Sequence, residues 1–410
     1  MLARFSRRSR IAALGALVGA LVALAAATAA VGSPQATTVT VATLPIANAL
    51  PLDLGIKKGF FTQQDIEIKK TTLASGNDVV LAMANKNADI GYLGFVPMMI
   101  ARTQGIPMVL VAASEVEGTS EADNWQNILV KGSSSIRSPT DLGGKTIAVN
   151  ALKGVGEVMI KAALQKLKVD PNSIRLVALP FPSMRSALNN GQVDAIWVPE
   201  PFLSQGLNLD GDRIVMAPGP VLGKFWPIGG YAALEDWVKN NQSTYRKFRA
   251  AINQSLSYAQ AHPEEIRPLL PAGTQNVRLP IWSPLVDRSQ LVQLAKYSKE
   301  YGVISTLPNM AQLVPSSIAS GLVLQAVVGG STIVLRLEGK RVTRLNAGKY
   351  TFVVFDRSAK QNFRLVGPGV RKQTSVRGTG RSTWTVTLKK GTYSYSSSGK
   401  GGLRRTFKVS

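Results

Sequence analysis

A carboxylate fixed between two prolines is the single side chain here with the most specific chemical potential. In Val198-Pro199-Glu200-Pro201, Glu200 closes a strand and could accept from a bound N–H or meet a cationic group. A salt bridge to an Arg or Lys near a hinge would equally explain it. Lys153 offers the opposite charge, either to an anionic group or simply to water. The other candidates are short turns rich in Gly, Ser, Asn and Pro. They are Leu44–Asn48, with Leu44, Pro45 and Asn48; Ser75-Gly76-Asn77; Leu93-Gly94-Phe95; and Asn150–Gly156, with Asn150, Gly154 and Val155. Each precedes a helical stretch. A helix N-terminus presents unpaired N–H groups and a partial positive charge, worth roughly 0.3–1 kcal/mol toward an anion. Glycines at 76, 94, 154 and 156 let the backbone come close to a bound group. The same turns would serve as ordinary caps in any α/β protein. Tyr92, Trp125 and Trp226 are candidate apolar walls, or core aromatics.

The residue inventory excludes much chemistry. The chain has no cysteine and one histidine, His262. Disulfides, thiolate metal sites, cysteine nucleophiles and a lipid-modified N-terminal cysteine are therefore ruled out. A Ser-His-Asp triad and a multi-histidine metal site find no support, and His262 in Gln260–Glu264 reads as a surface residue at a helix end. No acid/base pair can be placed. The expectation is a protein that is not an enzyme and uses no cofactor or metal.

The elements that must position these turns follow from hydrophobic period. Between Thr38 and about Ser320, β-branched runs alternate with amphipathic helical stretches. Strands are expected at Thr38–Thr43, Ile66–Thr72, Asp89–Leu93, Met108–Ser114, Lys145–Asn150, Ile174–Leu179 and Ala195–Val198. Helices are expected at Leu50–Phe61, Asp78–Asn87, Val96–Gln104, Gly156–Lys166 and Pro182–Asn190. Such alternation implies parallel sheets covered by helices, with ligands at the carboxyl ends of the strands. Two βα series suggest two lobes facing a cleft. Lobe 1 is placed at about 37–112 and 229–324, lobe 2 at about 116–216, with crossovers near Ala112–Val116 and Met216–Gly229. The helical stretches Leu234–His262 and Ser289–Tyr301 return to brace lobe 1. After Gly321 the helical period stops. Alternating strands begin at Thr332–Glu338, Gly348–Asp356, Asn362–Val366, Ser382–Leu388, Gly391–Ser396 and Thr406–Val409, as in a small all-β sandwich.

The ends of the chain differ from its middle. Arg4, Arg7, Arg8 and Arg10 precede an apolar run from Ile11 to Gly32, then Ala27-Thr28-Ala29 and Pro34. Residues 1–36 read as a signal peptide, which places the protein outside the cytoplasm; an uncleaved anchor is the alternative. The formal charge of +24 is concentrated at the other end. Residues 331–410 carry 18 Lys/Arg against Glu338 and Asp356, a local +16, and the 37–330 body carries only +4.

Within the body, Leu54-Gly55-Ile56-Lys57-Lys58-Gly59-Phe60-Phe61, Ser75-Gly76-Asn77 and Asn85-Lys86-Asn87-Ala88-Asp89-Ile90-Gly91-Tyr92 occur in order. They are followed by Asp141–Val149, Asn189–Ala195 and Pro199-Glu200-Pro201-Phe202. In order and spacing this series resembles the solute-binding proteins of ATP-driven (ABC) importers for aliphatic sulfonates, taurine, nitrate and thiamine-precursor pyrimidines. The resemblance implies a type II periplasmic-binding-protein fold with a hinge, a small polar or anionic ligand, and an ABC permease as partner. It leaves a second reading, a same-fold enzyme or binder acting on a pyrimidine or small carboxylate. The pyrimidine-synthesising relatives use a histidine and a cysteine cluster that this chain lacks.

In the tail, Asn362–Val370 and Trp384–Tyr395 resemble a cupredoxin domain. Its copper needs a cysteine, two histidines and usually a methionine. At the corresponding positions stand Gln361, Ser397, Lys400 and Leu403, so residues 325–410 resemble the sandwich without its type-1 copper site. Their charge suits anionic cell-wall polymers or lipid headgroups, and a role as an envelope adhesive is the third reading. Nucleic acid is not an expected partner of an exported chain.

Overall fold

A computed structural model describes residues 36–274, 277–315, 318–320, 323–330, 332–337, 340–345, 347–398 and 402–410. The leader through residue 35, and Lys400, lie outside them. Among the described residues no helix is long and apolar enough to cross a membrane.

The first sheet has six strands: β1 (Thr37–Thr43), β2 (Ile66–Thr72), β3 (Ile90–Gly94), β4 (Met108–Val116), β10 (Pro227–Leu234) and β11 (Ile281–Trp282), in the order β11-β4-β10-β3-β1-β2. The second has five: β5 (Gln126–Val130), β6 (Thr146–Val149), β7 (Arg175–Ala178), β8 (Ala195–Pro199) and β9 (Arg213–Met216), in the order β7-β6-β8-β5-β9. Each sheet has its own apolar core. The chain passes between the sheets twice, through 117–125 and 217–226.

The helices that matter for the cleft follow strand ends. They are α1 (Leu50–Lys57), α2 (Gly76–Ala84), α3 (Phe95–Thr103), α4 (Val155–Lys166) and α5 (Phe181–Asn189); α6 (Gln242–Ala261) and α7 (Arg288–Glu300) come after the return to the first sheet. Helix α1 starts with Pro51 in its first turn, and the chain leaves it through Gly59 at φ +73°, a conformation glycine adopts without strain. Helix α2 starts where the Ser75 hydroxyl accepts from Asp78 N, a standard side-chain cap. The stretch expected as one helix over Leu234–His262 is broken at Asn241, giving Glu235–Asn240 and α6.

The sheets are mixed rather than parallel, which corrects the expectation. Strand β1 runs parallel to β3, but β10 is antiparallel to both β3 and β4, pairing Tyr231 with Tyr92 and with Ala112. In the second sheet, β6 runs parallel to β7 and β8, while β5 is antiparallel to β8 and β9. The antiparallel strands β5 and β10 each follow a crossover, and the short edge strand β11 is antiparallel to β4 as well.

One device recurs in both lobes. Asp89 Oδ2 accepts from Thr40 N at 2.8 Å and Asp89 N donates to Thr40 O; Asp194 Oδ2 accepts from Thr146 N at 2.8 Å and Asp194 N donates to Thr146 O. Each aspartate ties a strand residue, Thr40 in the middle of β1 or Thr146 at the start of β6, to the turn entering the parallel neighbour. This is the physical content of the Asn87-Ala88-Asp89-Ile90 and Gln192-Val193-Asp194-Ala195 segments.

The C-terminal region is two five-stranded sheets around a third core that includes Leu335, Phe352, Phe363, Tyr393, Tyr395 and Phe407. One sheet contains β14 (Val323–Gly329), β15 (Thr332–Leu337), β16 (Lys340–Arg341), β18 (Gly348–Asp356) and β21 (Gly380–Leu388). The other contains β17 (Arg344–Leu345), β19 (Phe363–Gly367), β20 (Val370–Gln373), β22 (Gly391–Ser397) and β23 (Arg404–Val409). A short parallel pair, β12 (Val286–Asp287) with β13 (Ala319–Ser320), leads into it. At the last hairpin Ser397 N donates to Leu403 O at 2.9 Å and Leu403 N donates to Ser397 Oγ at 3.1 Å, so these two positions are joined by hairpin hydrogen bonds.

Candidate functional site

A cavity of about 50 Å³ lies where strand ends of the two sheets meet. From the first lobe it is lined by Leu44, Asn48, Gly76, Tyr92, Gly94 and Pro97; from the second by Gln126, Asn150, Gly154, Val155, Phe181 and Trp197, with Trp125 and Pro199 beside them. Leu44 follows β1, Gly94 ends β3, Asn150 follows β6 and Pro199 ends β8, so the cavity sits at carboxyl ends of strands in both sheets.

The lobes touch across it. A Cβ on Gly94 would lie 2.4 Å from Val155 Cγ2, so glycine here is required by the approach of the opposite lobe. At the rim, Asn77 Nδ2 donates to Leu152 O at 3.4 Å, and Gln165 of α4 donates to Glu300 of α7 at 2.6 Å.

Among the described residues no charged side chain lines this cavity. Its positive character comes from helix ends. Helix α3 begins at Gly94, α4 at Gly154 and α5 at Pro180, and none of the three has a side-chain cap. Their free first-turn N–H groups lack intrahelical acceptors and carry the positive end of the helix dipole, although Pro97 in α3 and Pro182 in α5 offer no N–H and Ser183 N donates to Pro180 O. Two neutral side chains add donors: the fully buried Asn48 amide, which faces Tyr92 and Glu115 without a close hydrogen bond, and the unpartnered Trp197 indole N–H. Behind Tyr92 lies Glu115, which is buried and accepts from the Tyr92 hydroxyl at 2.7 Å. Burial raises the Glu115 pKa to about 7, and raises that of Glu117, which accepts from Gln126, to about 8. Both carboxyls sit at the mouth of the first crossover without lining the cavity.

Of the residues singled out in the sequence, Leu44, Asn48, Gly76, Tyr92, Gly94, Trp125, Asn150, Gly154, Val155 and Pro199 are brought to the cavity. The others are elsewhere. Glu200 is fully buried and its carboxylate is taken: Oε1 accepts from Ser204 Oγ at 2.8 Å and from Arg278 N at 3.0 Å, and Oε2 from Ser204 N at 3.0 Å. It locks the end of β8 to the segment at Arg278, and burial raises its pKa. Lys153 is exposed on the outer groove; its backbone N donates to Glu157 Oε2 at 2.7 Å. Ser75 is spent capping α2, donating to Asp78 Oδ2 at 2.7 Å. Pro45 and Asn77 are exposed, and Phe95 is core. Trp226 lines a different cavity, against the C-terminal sandwich. Sequence reading overlooked Gln126, Phe181 and Trp197, although Phe181 at the start of α5 follows the same strand–turn–helix pattern as the turns it did select.

His262 ends α6, stacks on Tyr258 with ring centroids 4.2 Å apart, and lies with Glu264 and Glu265 in one exposed group. Glu265 is already paired with Lys58 and Tyr258.

Two α/β lobes joined by two crossovers, with a cavity between their strand ends, are the architecture of the periplasmic-binding-protein fold. The NMT1/THI5 like family matches residues 47–266, more than half of the chain, and the protein belongs to that family. It is 25% identical over 270 residues to the taurine-binding periplasmic protein of Escherichia coli (strain K12), covering 66% of this chain and 74% of that one. It is 22% identical over 242 residues to the nitrate/nitrite binding protein NrtA of Nostoc sp. (strain PCC 7120), covering 55% and 54%. Among solved structures, the alkanesulfonate-binding protein SsuA of Xanthomonas axonopodis pv. citri aligns with a TM-score of 0.55 at 19% identity, over 68% of this chain and 96% of that one. The nitrate-binding protein NrtA of Synechocystis PCC 6803 gives 0.58 at 14% identity, over 70% and 88%.

Proposed function

We propose that this protein is the extracytoplasmic solute-binding component of an ABC importer, capturing one small anionic solute by closure of its lobes and presenting it unaltered to a membrane permease. The observation that carries the reading is the cavity: walled by both lobes, free of charged side chains, and faced by three uncapped helix N-termini. Such a site holds an anion through backbone N–H groups and neutral donors. A sulfonate such as taurine, or nitrate, fits a cavity of about 50 Å³ better than a large ligand does. The relatives named for taurine and nitrate binding support the same class. A pyrimidine ligand loses its main argument, because the Glu200 carboxylate that would receive its N–H is occupied by Ser204 and Arg278. Among the described residues no carboxylate or histidine lines the cavity to serve as acid or base.

Closure requires only that the ligand bind the shut form better than the open one. The test is a thermal-shift and calorimetric screen of taurine, longer alkanesulfonates, nitrate and aminopyrimidines. A true ligand at a hundred times its Kd adds about 2.7 kcal/mol of stability and is recovered chemically unchanged. Stabilisation by none of these anions, or conversion of the bound molecule, would overturn the reading. The basic sandwich, read as a copper-free relative of the cupredoxins, serves in this proposal as a tether to anionic wall polymers or headgroups, in place of a lipid anchor. Its +16 charge acts over about 8 Å at physiological salt; envelope retention that survives deletion of 325–410 at both low and high salt would remove that role.

A further inference from the structure

A second cavity lies away from the cleft. A cavity of about 460 Å³ occupies the seam between the first lobe and the C-terminal sandwich. The segment Leu222–Trp226 forms one wall, the start of α7 (Ser289, Gln290, Gln293) a second, and the sandwich residues Gln325, Thr351, Val353 and Arg381 the third. Phe225 and Phe355 stack there with centroids 5.1 Å apart, and the Arg381 guanidinium carbon lies 5.8 Å from one ring and 5.9 Å from the other.

Arg381 has an unusual setting. Although the residue as a whole keeps some exposure, its Nε and Nη1 have almost no accessible surface and no hydrogen-bond partner among the described residues. The Trp226 indole N–H and the Thr351 hydroxyl, on opposite walls of the same cavity, are buried and unpartnered too. A buried guanidinium that gains only ring contacts forfeits several strong hydrogen bonds. Burial alone pulls its pKa down to about 9, with no acidic neighbour holding it up. The one carboxylate on the lining, Asp287, has its Oδ1 taken by Ser289 N and Oγ, and Lys224 adds a second positive charge. Of the rest of the lining, Val116, Leu222, Leu285 and Val353 are apolar, and Ser283, Ser289, Gln290, Gln293 and Gln325 add neutral polar groups. A space of this size, mostly apolar with a few convergent polar groups, has the make-up of a small-molecule site.

We propose that the seam is a second binding site, for a small organic anion whose acidic head meets Arg381, Trp226 and Thr351 while its apolar body lies against Val116, Leu222, Leu285 and Val353. The site is built jointly by the lobe and the sandwich, so its occupant would hold the two together. Trp226 also accepts, through its carbonyl, from Glu117 N at 2.8 Å, which puts the occupant next to a crossover between the lobes.

The full-length chain is to be titrated calorimetrically with straight-chain monocarboxylates from acetate to octanoate and with benzoate, each beside its matched alcohol. A saturable carboxylate, at least tenfold tighter than its alcohol, is expected. Arg381→Gln should erase that preference, and Arg381→Lys should keep part of it, which separates loss of charge from loss of seam packing. Gly94→Val, which obstructs the cleft, should leave carboxylate binding intact. Equal affinity for acid and alcohol across the series, or wild-type carboxylate affinity in Arg381→Gln, overturns the proposal. So does binding that disappears in Gly94→Val but persists in Arg381→Gln, since the ligand would then occupy the cleft.

Discussion

The two cavities of this molecule collect positive potential by opposite means. The cleft between the lobes has no charged lining and relies on uncapped helix ends, one buried amide and one indole N–H. The seam beside the sandwich relies on a formal charge, the Arg381 guanidinium, set against a stacked pair of aromatic rings. Backbone dipoles need no ionised side chain to be stripped of water each time lobes open and shut, whereas a buried guanidinium costs desolvation once and then stays put. The first arrangement suits repeated capture and release; the second suits a lasting join between parts of the chain.

The comparison can be broken at the supports of the cleft. The largest effect is expected for Glu200→Ala, which orphans the Ser204 N–H and hydroxyl and the Arg278 N–H at once; urea denaturation should show a loss of about 3 kcal/mol. Restored stability in the absence of any compensating contact would mean that Glu200 is not the clasp inferred here. Gly94→Val comes next. With Val155 only 2.4 Å from a Cβ at this position, closure is blocked, and affinity for the cleft ligand should fall about a hundredfold, or roughly 2.7 kcal/mol, while circular dichroism stays native.

Glu115 and Glu117 sharpen the contrast through pH. Their folded pKa values, about 7 and about 8, lie above the ordinary 4.5, so the native state binds more protons than the unfolded one in between. Stability should therefore decline as pH rises from about 4.5 toward 8, by at most about 1.4 kcal/mol per pH unit for each carboxyl. Glu115→Gln and Glu117→Gln should each flatten that slope in pH-dependent melts; an unchanged slope in both would mean these carboxyls are ionised in the fold. Asn48→Leu removes a buried amide that makes no close hydrogen bond but faces Glu115 and Tyr92, so the empty protein should change little in stability while ligand affinity falls about tenfold, or 1.4 kcal/mol. The smallest effect is expected for Lys153→Gly. Its side chain is exposed and its φ is +55°, which glycine accepts, so ligand affinity should stay within about twofold of wild type.

How far the sequence could be read depended on how local each signal was. Strand β2 spans Ile66–Thr72, as its β-branched run predicts, and α2 through α5 lie within two or three residues of their expected bounds. The turns that reach the cleft were legible because glycine and capping requirements are set by neighbouring residues. Strand β10 was not. Its Pro-Ile-Gly-Gly opening is a poor strand signal, and Gly229 and Gly230 are there because Leu93 O and Ala112 O approach to 2.7 and 2.5 Å of where a Cβ would stand.

Composition, charge and hydrophobic period by themselves determined two α/β series followed by a basic β region, the exclusion of thiol chemistry, and the helix-opening turns of the cleft. Tertiary structure alone decided the sense of the strands beside the crossovers, the burial of Glu200 under Ser204 and a segment 78 residues away, and the confinement of Trp226 with Arg381 at the seam. The reason is physical: a turn is set by a few adjacent torsions, whereas the fate of a charged or aromatic side chain depends on which distant surface arrives against it.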